Sequence, residues 1–293
     1  MSYTSKTLCA ALGGLALAIA ASGPSRAEGY ANPELLMETG ALAARLTDSN
    51  LRIVDVRPAK DYARGHIAGA VHLGADDVID PDSHVEGDLL PAQTLAAELG
   101  ARGIDRKTHV VLYDDNGGFH ASRLFWMLEY FGHRKVSVLN GGIPKWLKEG
   151  RPVTTRAAQV NARTFVPTLT PHRFASADWL LERAQDPSTV VIDVRPAEMY
   201  AAGHIPWARS IPWKRNLAED GTLKPADDLL RQFAAEGVTK DRNIAIHCQN
   251  GKAAGHSYFT LRLLGFPRVR NYDRSWAEWG SAGELPKATG KPG

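Results

Sequence analysis

Short apolar runs alternate with amphipathic segments along most of this chain. In the second half, the β-branched and apolar runs over 189–194 and 243–247 predict buried strands. Helical patterns over 225–235 and 255–264 follow these strands, and Ser176 is a good N-cap for another helix ahead of them. Strands that alternate with helices predict an α/β fold, with a mainly parallel sheet and helices on both faces.

This pattern occurs twice, because the two halves share motifs at constant spacing. The segment 53–67 (IVDVRPAKDYARGHI) matches 191–205 (VIDVRPAEMYAAGHI), and 136–146 parallels 269–279. A repeat this long indicates duplicated domains rather than a solenoid. A Pro-, Thr- and Arg-rich stretch with weak periodicity separates the halves. The predicted division is an N-terminal domain over 28–150, a linker over 151–172 and a C-terminal domain over 173–293.

The first 27 residues resemble a secretory signal peptide. Lys6 precedes an apolar stretch over 8–21, and Ser25-Arg26-Ala27 has the small-x-small pattern of a cleavage site. The apolar stretch is too short and too rich in Ala and Gly for a stable membrane span. We expect cleavage after Ala27 and a periplasmic or secreted protein that has no membrane attachment afterwards.

Cleavage would leave Cys248 as the only cysteine, because Cys9 lies in the leader. An exported chain with one cysteine has no internal disulfide, and its thiol is a candidate reactive group. The net charge of +3 includes Lys6 and Arg26, so the mature chain is near +1 (3 − 2), which gives no argument for nucleic acid or membrane surfaces. The histidines are scattered and none pairs with a second cysteine, so we expect no metal site.

Cys248 is predicted to be a nucleophile, because it follows the predicted strand 243–247 and precedes a short polar loop and a helix. A buried structural cysteine is the commoner fate of a lone thiol, but the loop residues 249–251 argue against it. Successive loop N–H groups and the helix N-terminus are expected to favour the thiolate, with Lys252 as a nearby cation. The predicted substrate-binding residues of the loop are Gln249, Asn250, Gly251, Lys252 and Ala253.

In their order along the chain, these motifs resemble a tandem-domain rhodanese, a sulfurtransferase. The motifs are Asp-Val-Arg-Pro, Tyr-x-x-Gly-His-Ile, a strand ending in Cys-x-x-Gly, and Tyr-Asp-x-Ser-Trp-x-Glu-Trp. The resemblance implies two similar α/β domains, with catalysis only in the C-terminal one. Where the second half has Cys248, the first has Asp114 or Asp115. A carboxylate cannot carry a persulfide, so we expect the N-terminal domain to be catalytically silent and to serve as a packing partner.

Sulfur transfer needs a thiolate that attacks a sulfane sulfur, holds it as a persulfide and yields it to a second nucleophile. A single cysteine suffices, because a second one would divert the persulfide into a disulfide. No metal or organic cofactor is required. The resemblance implies thiosulfate as donor and cyanide or a thiol as acceptor. We therefore expect small-molecule partners and a monomer, with no nucleic-acid partner.

The sequence leaves the identity of the donor open. Ala253 stands where many active members of the family have Arg or Thr, and Met199 stands near the position of a substrate-contacting Arg in several others. Members specific for 3-mercaptopyruvate usually carry a Cys-Gly-Ser/Thr-Gly loop, which Gln249 and Asn250 do not match. Thiosulfate is therefore the first expectation, and 3-mercaptopyruvate is the alternative.

Two arginines outside the loop are further candidates for binding the donor. Asp193 and Arg195 recur in the silent half, which favours a structural pair, although Arg195 is also a candidate contact. Arg274 is either a solvated side chain or a contact to an anionic donor. His247 alternates to the other face of its strand, and His204 also recurs in the silent half, so both are predicted to be structural.

Two functions of other classes remain possible. A cysteine phosphatase would also have His-Cys before a Gly-containing loop, but it needs a loop arginine to clamp the phosphoryl oxygens. Ala254 stands six residues after Cys248, which counts against this reading. The other alternative is a non-catalytic protein that binds or senses reactive sulfur, for which Ala253 is the best argument.

Overall fold

A computed structural model of the chain describes residues 29–291. The predicted signal peptide over 1–27 lies outside these residues. Among the helices of the described part, none combines the length and the apolar character needed to cross a bilayer.

The N-terminal half forms a five-stranded sheet in which all neighbouring strands are parallel, in the order β1-β5-β4-β2-β3. Its strands are β1 (Leu36–Met37), β2 (Leu51–Asp55), β3 (Val71–His72), β4 (His109–Tyr113) and β5 (Val136–Leu139). Its helices are α1 (Thr39–Ala43), α2 (Ala59–Arg64), α3 (Ala92–Ala101), α4 (Ala121–Tyr130) and α5 (Gly142–Lys148).

The C-terminal half repeats this arrangement with a four-stranded parallel sheet, in the order β7-β6-β8-β9. A single bridge from Phe174 to Asn271 stands where the N-terminal half has its outer strand β1. The strands are β6 (Thr189–Asp193), β7 (Ala208–Ser210), β8 (Asn243–His247) and β9 (Val269–Asn271). The helices are α6 (Ala177–Leu181), α7 (Ala197–Ala202), α8 (Ala226–Ala235), α9 (Lys252–Leu263) and α10 (Ser275–Trp279).

Central strands of both sheets are buried, which confirms the predicted α/β fold with covered parallel sheets. In β4 and β8, every residue after the first is buried. Parallel strands with helices on both faces need such continuous apolar runs, because neither face of the sheet meets water. The strands predicted over 189–194 and 243–247 and the helix predicted over 225–235 agree with β6, β8 and α8 to within one residue.

Helix α9 begins at Lys252, three residues earlier than the predicted start at Gly255. Gly251, immediately before it, has a left-handed backbone (φ 83°), which turns the chain directly from the loop into the helix. Periodicity did not show this start, because Ala253 and Ala254 are compatible with either a loop or a helix. The loop after Cys248 is therefore only three residues long.

The two halves pack through α4 and α9, which share one apolar core with both sheets. Gly255 of α9 lies against the backbone of Arg123 in α4, so close that a Cβ atom at Gly255 would come within 2.6 Å of the Arg123 Cα. The predicted linker crosses the N-terminal half, where Phe165 is buried and Arg163 and Thr168 bond to its backbone. The end of α9 that carries Lys252 therefore faces the N-terminal domain.

Candidate active site

Cys248 is the first residue after β8 and precedes the short turn into α9. Only 2% of its surface is exposed, and its side chain lies on the face of the sheet that packs against α9 and the apolar core. It is the free cysteine of the described residues. The thiol therefore sits at the carboxyl end of a central parallel strand, where reactive groups gather in open α/β sheets.

Ser275 is the polar side chain that touches the sulfur. Its Oγ lies 3.8 Å from Cys248 Sγ, accepts a hydrogen bond from the Cys248 N–H at 3.0 Å and donates to the Tyr272 carbonyl at 2.8 Å. Ser275 has φ 54° and is the non-glycine residue with positive φ in the described chain. A strained backbone at such a place is typical of a functional position. The sequence analysis did not predict a role for Ser275. The signal that could have shown it is the repeat, which aligns Ser275 with Gly142.

The corresponding loop of the N-terminal domain binds a buried anion with backbone N–H groups. Strand register places Asp114, the residue after β4, at the position that Cys248 holds after β8. The Asp114 carboxylate is fully buried. It accepts backbone hydrogen bonds of 2.7 to 3.1 Å from Asn116, Gly118, His120 and Ala121. This point of the fold therefore stabilises negative charge with amide dipoles.

In the C-terminal domain, the amides of the shorter loop are not used in this way. The backbone N–H groups of Gln249, Asn250 and Gly251 have no acceptor among the residues that the structure describes. None of them is hydrogen-bonded to Cys248 Sγ. The prediction that the loop amides contact the sulfur directly was therefore wrong for the free thiol. Because these donors are unpaired, they are available to an anionic atom beyond Sγ.

Arg195 lies beside the loop and is held by a buried ion pair. Its guanidinium donates two hydrogen bonds to the Asp193 carboxylate in a bidentate contact (2.6 Å at the shortest) and a third to the Gly203 carbonyl. In the N-terminal half, Arg57 bonds Asp55 and the Gly65 carbonyl in the same way. The Asp193–Arg195 ion pair predicted from the repeat is confirmed, whereas the contact of Arg195 with the donor stays a prediction. Arg195 also lies over the Trp276 ring and 3.4 Å from Gln249 Oε1, so it orients the first side chain after Cys248.

Three further predicted site residues meet carboxylates of the N-terminal domain. Asn250 Nδ2 donates to Glu86 at 2.8 Å, and Lys252 Nζ lies 2.6 Å from Asp76. Arg274, just before α10, is 39% exposed and pairs with Asp88 at 2.9 Å and with Glu278 at 3.1 Å. Ala253 is buried at 8% exposure in the first turn of α9.

A buried ion pair between the domains lies under the loop. Arg123 donates to the Asp273 carboxylate (2.8 Å) and to the Gly87 carbonyl. Asp273 packs against Gly251, where a Cβ atom would come within 2.2 Å of the carboxylate. Gly251 is therefore required by its backbone angle and by the space available. Sequence patterns did not reveal this support, since its two charges lie 150 residues apart.

Among the described residues, neither His247 nor His204 makes a hydrogen bond to the Cys248 thiol. His247 is fully buried on the opposite face of β8, as predicted, and burial lowers the pKa of its imidazole. His204 stacks on Tyr200 with ring centroids 3.7 Å apart, and His66 repeats this contact with Tyr62. The same stack in both halves fits the structural role that the repeat predicts for His204 and His66. Within residues 29–291, no group of three or more His, Cys, Asp and Glu side chains is arranged to hold a metal ion.

Comparison with known proteins gives matches over both halves. The family model described as "Rhodanese-like domain" matches residues 38–149 and 176–282. The chain is 35% identical to the sulfur carrier protein TtuD of Thermus thermophilus (90% of this chain, 99% of the relative). It is 31% identical to a thiosulfate sulfurtransferase of Azotobacter vinelandii (88% and 98%).

A solved structure matches with similar coverage. The crystal structure of SseA from Escherichia coli, a 3-mercaptopyruvate sulfotransferase, aligns with a TM-score of 0.77 and 29% identity, covering 83% of this chain and 98% of that one. The two matched segments contain strands β2–β5 of the first sheet and the whole second sheet, and the second segment includes the Cys248 loop. The chain therefore belongs to the rhodanese family and carries a rhodanese-like domain in each half.

Proposed function

We propose that this protein is a sulfurtransferase that moves a sulfane sulfur from thiosulfate, or a related donor, to cyanide or a thiol. Cys248 carries the sulfur as a persulfide. The observation that carries the proposal is the position of Cys248: a free thiol follows β8 beside unpaired loop amides, where the other domain binds the Asp114 carboxylate with four N–H groups. The terminal sulfur of a persulfide is the anion that extends beyond Sγ toward these donors.

The reaction proceeds in two displacements. In the first, the Cys248 thiolate attacks the outer sulfur of thiosulfate, the S–S bond of thiosulfate breaks, and sulfite leaves with the bonding electron pair. In the second, the carbon of cyanide attacks the outer sulfur of the persulfide, the persulfide S–S bond breaks, and thiocyanate leaves while the thiolate is restored. Each step exchanges one bond to sulfur, so no external oxidant or reductant is needed.

The residues around Cys248 supply positioning and charge stabilisation. The amides of Gln249, Asn250 and Gly251 stabilise negative charge on the transferred sulfur, because fixed dipoles in a buried site cost no reorganisation during the reaction. Ser275 holds the Cys248 N–H and lies next to Sγ. Lys252, the first residue of α9, is the cation next to the loop, and Arg195 contacts the Gln249 side chain.

Because one relative is named for 3-mercaptopyruvate, that compound is the second candidate donor. The loop of this chain lacks the Cys-Gly-Ser/Thr-Gly pattern, which keeps thiosulfate first. The name of the Thermus relative adds a third possibility, in which the persulfide is passed to a partner protein rather than to a small thiol. The signal-peptide pattern over 1–27 supports a periplasmic or secreted location for whichever reaction occurs.

Replacing Cys248 with serine tests the proposal directly. We expect C248S to reduce transfer from thiosulfate to cyanide to background, because a hydroxyl cannot form the persulfide, while the circular dichroism spectrum and unfolding temperature stay close to wild type. Steady-state rates with thiosulfate plus cyanide, 3-mercaptopyruvate plus cyanide, and an aryl phosphate separate the candidate reactions. Turnover retained in C248S would contradict the proposal, and hydrolysis of the aryl phosphate would support the phosphatase alternative.

A further inference from the structure

An acidic part of the N-terminal domain lies against residues 249–251, the loop that follows Cys248 and is called the catalytic loop below. The acidic segment, defined here as residues 74–90, contains six carboxylates and no Lys or Arg. Gly87 packs on the loop backbone so closely that a Cβ atom would lie 2.5 Å from the Asn250 carbonyl oxygen. Three carboxylates of this segment contact residues of the catalytic loop or its flank: Asp76, Glu86 and Asp88.

The contact from Asp76 removes the charge that the loop offers to an anion. Lys252 is the only Lys or Arg between Cys248 and the interior of α9 up to Arg262, and its Nζ lies 2.6 Å from Asp76 Oδ1. The hydrogen bond from Lys252 lowers the pKa of the Asp76 carboxyl, so this group is ionised at neutral pH. In this arrangement Lys252 is therefore already neutralised by a carboxylate of the other domain.

The pair is exposed enough to be exchanged. The Asp76 side chain is 81% exposed, whereas that of Lys252 is 23% exposed. Ion pairs in contact with water are weak, and a competing anion that also binds the loop amides can replace the carboxylate at little cost. The charge of Arg123 also helps to lower the pKa of the Asp76 carboxyl, so Asp76 keeps a second cation nearby when Lys252 is released.

We propose that Asp76 sets the charge selectivity of the active site: its carboxylate occupies Lys252 in the free protein, and an anionic substrate must displace it to reach the cation. Asp76 is thus a specificity-determining residue supplied by the domain that lacks the nucleophile. For the identity of the donor the inference rests on the proposed function. For the charge of the site it rests only on the contact between Asp76 and Lys252.

The test compares two reagents that alkylate Cys248 and differ in charge. Iodoacetate is an anion and iodoacetamide is neutral, so the ratio of their rate constants measures the selectivity without requiring sulfur transfer. We expect Asp76→Asn to raise the iodoacetate to iodoacetamide ratio about two- to fivefold, the range for losing one exposed charge partner. With thiosulfate as donor, the same variant should lower KM by a similar factor and change kcat less than about twofold.

Asp82→Asn is the matched control. Asp82 belongs to the same segment and is exposed, and its side chain has no hydrogen bond or ion pair with a residue that the structure describes. This variant removes the same charge from the same segment, so it should leave the ratio within about 1.5-fold of wild type if long-range charge effects are small. In a Lys252→Met background, Asp76→Asn should have almost no effect, because the cation that it releases is gone.

The outcomes separate this inference from the proposed function. An unchanged ratio in Asp76→Asn, or an equal rise in Asp82→Asn or in the Lys252→Met background, would overturn the role of Asp76 even if thiosulfate turnover is normal. A ratio that rises as expected in a protein without any sulfur transfer would support the role of Asp76 and contradict the proposed function.

Discussion

At the scale of single residues, the site depends on Ser275 as well as on the thiol. Its side chain bonds the Cys248 N–H and lies next to Sγ, while its backbone has the left-handed angle that Gly142 adopts in the other half (φ 54° and 56°). A non-glycine residue in this conformation is destabilised by about 1–2 kcal/mol relative to glycine. The C-terminal half therefore keeps a strained serine where the N-terminal half has a glycine, which adopts this angle without strain.

Ser275→Gly removes the hydroxyl and keeps the backbone angle without strain. We expect kcat for sulfur transfer to fall about fivefold, corresponding to the loss of one hydrogen bond of about 1 kcal/mol. The free energy of unfolding, measured with urea, should stay the same or rise.

Ser275→Ala is the matched comparison, since it also lacks the hydroxyl but retains the strain. It should lose as much activity as Ser275→Gly and be less stable than that variant by about 1–2 kcal/mol. Wild-type kcat in both variants would show that the hydroxyl next to Sγ has no part in the reaction.

At the scale of elements, periodicity predicted the two central strands of the C-terminal half, β6 and β8, and the helices α6, α8 and α9, because each buries a continuous or amphipathic face. It did not predict the short outer strands β7 and β9 or the short helices α7 and α10. It predicted the position of Cys248 after β8 for the same reason. It missed the early start of α9, where small residues fit a loop or a helix. The choice between Asp114 and Asp115 also stayed open, because the loops after β4 and β8 differ in length; only the strand register places Asp114 opposite Cys248.

Contacts between distant segments could not be predicted from patterns along the chain. Lys252 meets Asp76 across 176 positions, and Arg274 meets Asp88 across 186. The sequence therefore predicts both Arg274 and Lys252 as contacts to the donor, because a single sequence does not show which acid lies opposite each of them. The residues of the thiol's own loop were therefore predictable, whereas the acids that neutralise their neighbours were not.

At the scale of the whole molecule, the N-terminal domain does more than cover apolar surface. Its Arg123 reaches the Asp273 carboxylate beneath Gly251, and both side chains are almost fully buried. Burial raises the pKa of the Asp273 carboxyl, and the guanidinium opposes this effect. The pair thus joins the domains at the support of the catalytic loop.

Arg123→Ala should lower the free energy of unfolding by about 3–5 kcal/mol, because it leaves Asp273 buried without its partner. Arg45→Ala is a control, since Arg45 forms a partly exposed pair with Asp48 and its loss should cost about 1 kcal/mol or less. Urea unfolding followed by tryptophan fluorescence measures both. Equal losses in the two variants would contradict a supporting role for the buried pair.

The account depends on Cys248 accepting one sulfur atom, and intact-mass spectrometry of the protein after thiosulfate treatment measures this directly. We predict that the wild-type chain gains the mass of one sulfur, that cyanide removes it, and that Cys248→Ser gains nothing. An unchanged wild-type mass, or a sulfur gained by Cys248→Ser, would contradict the persulfide mechanism.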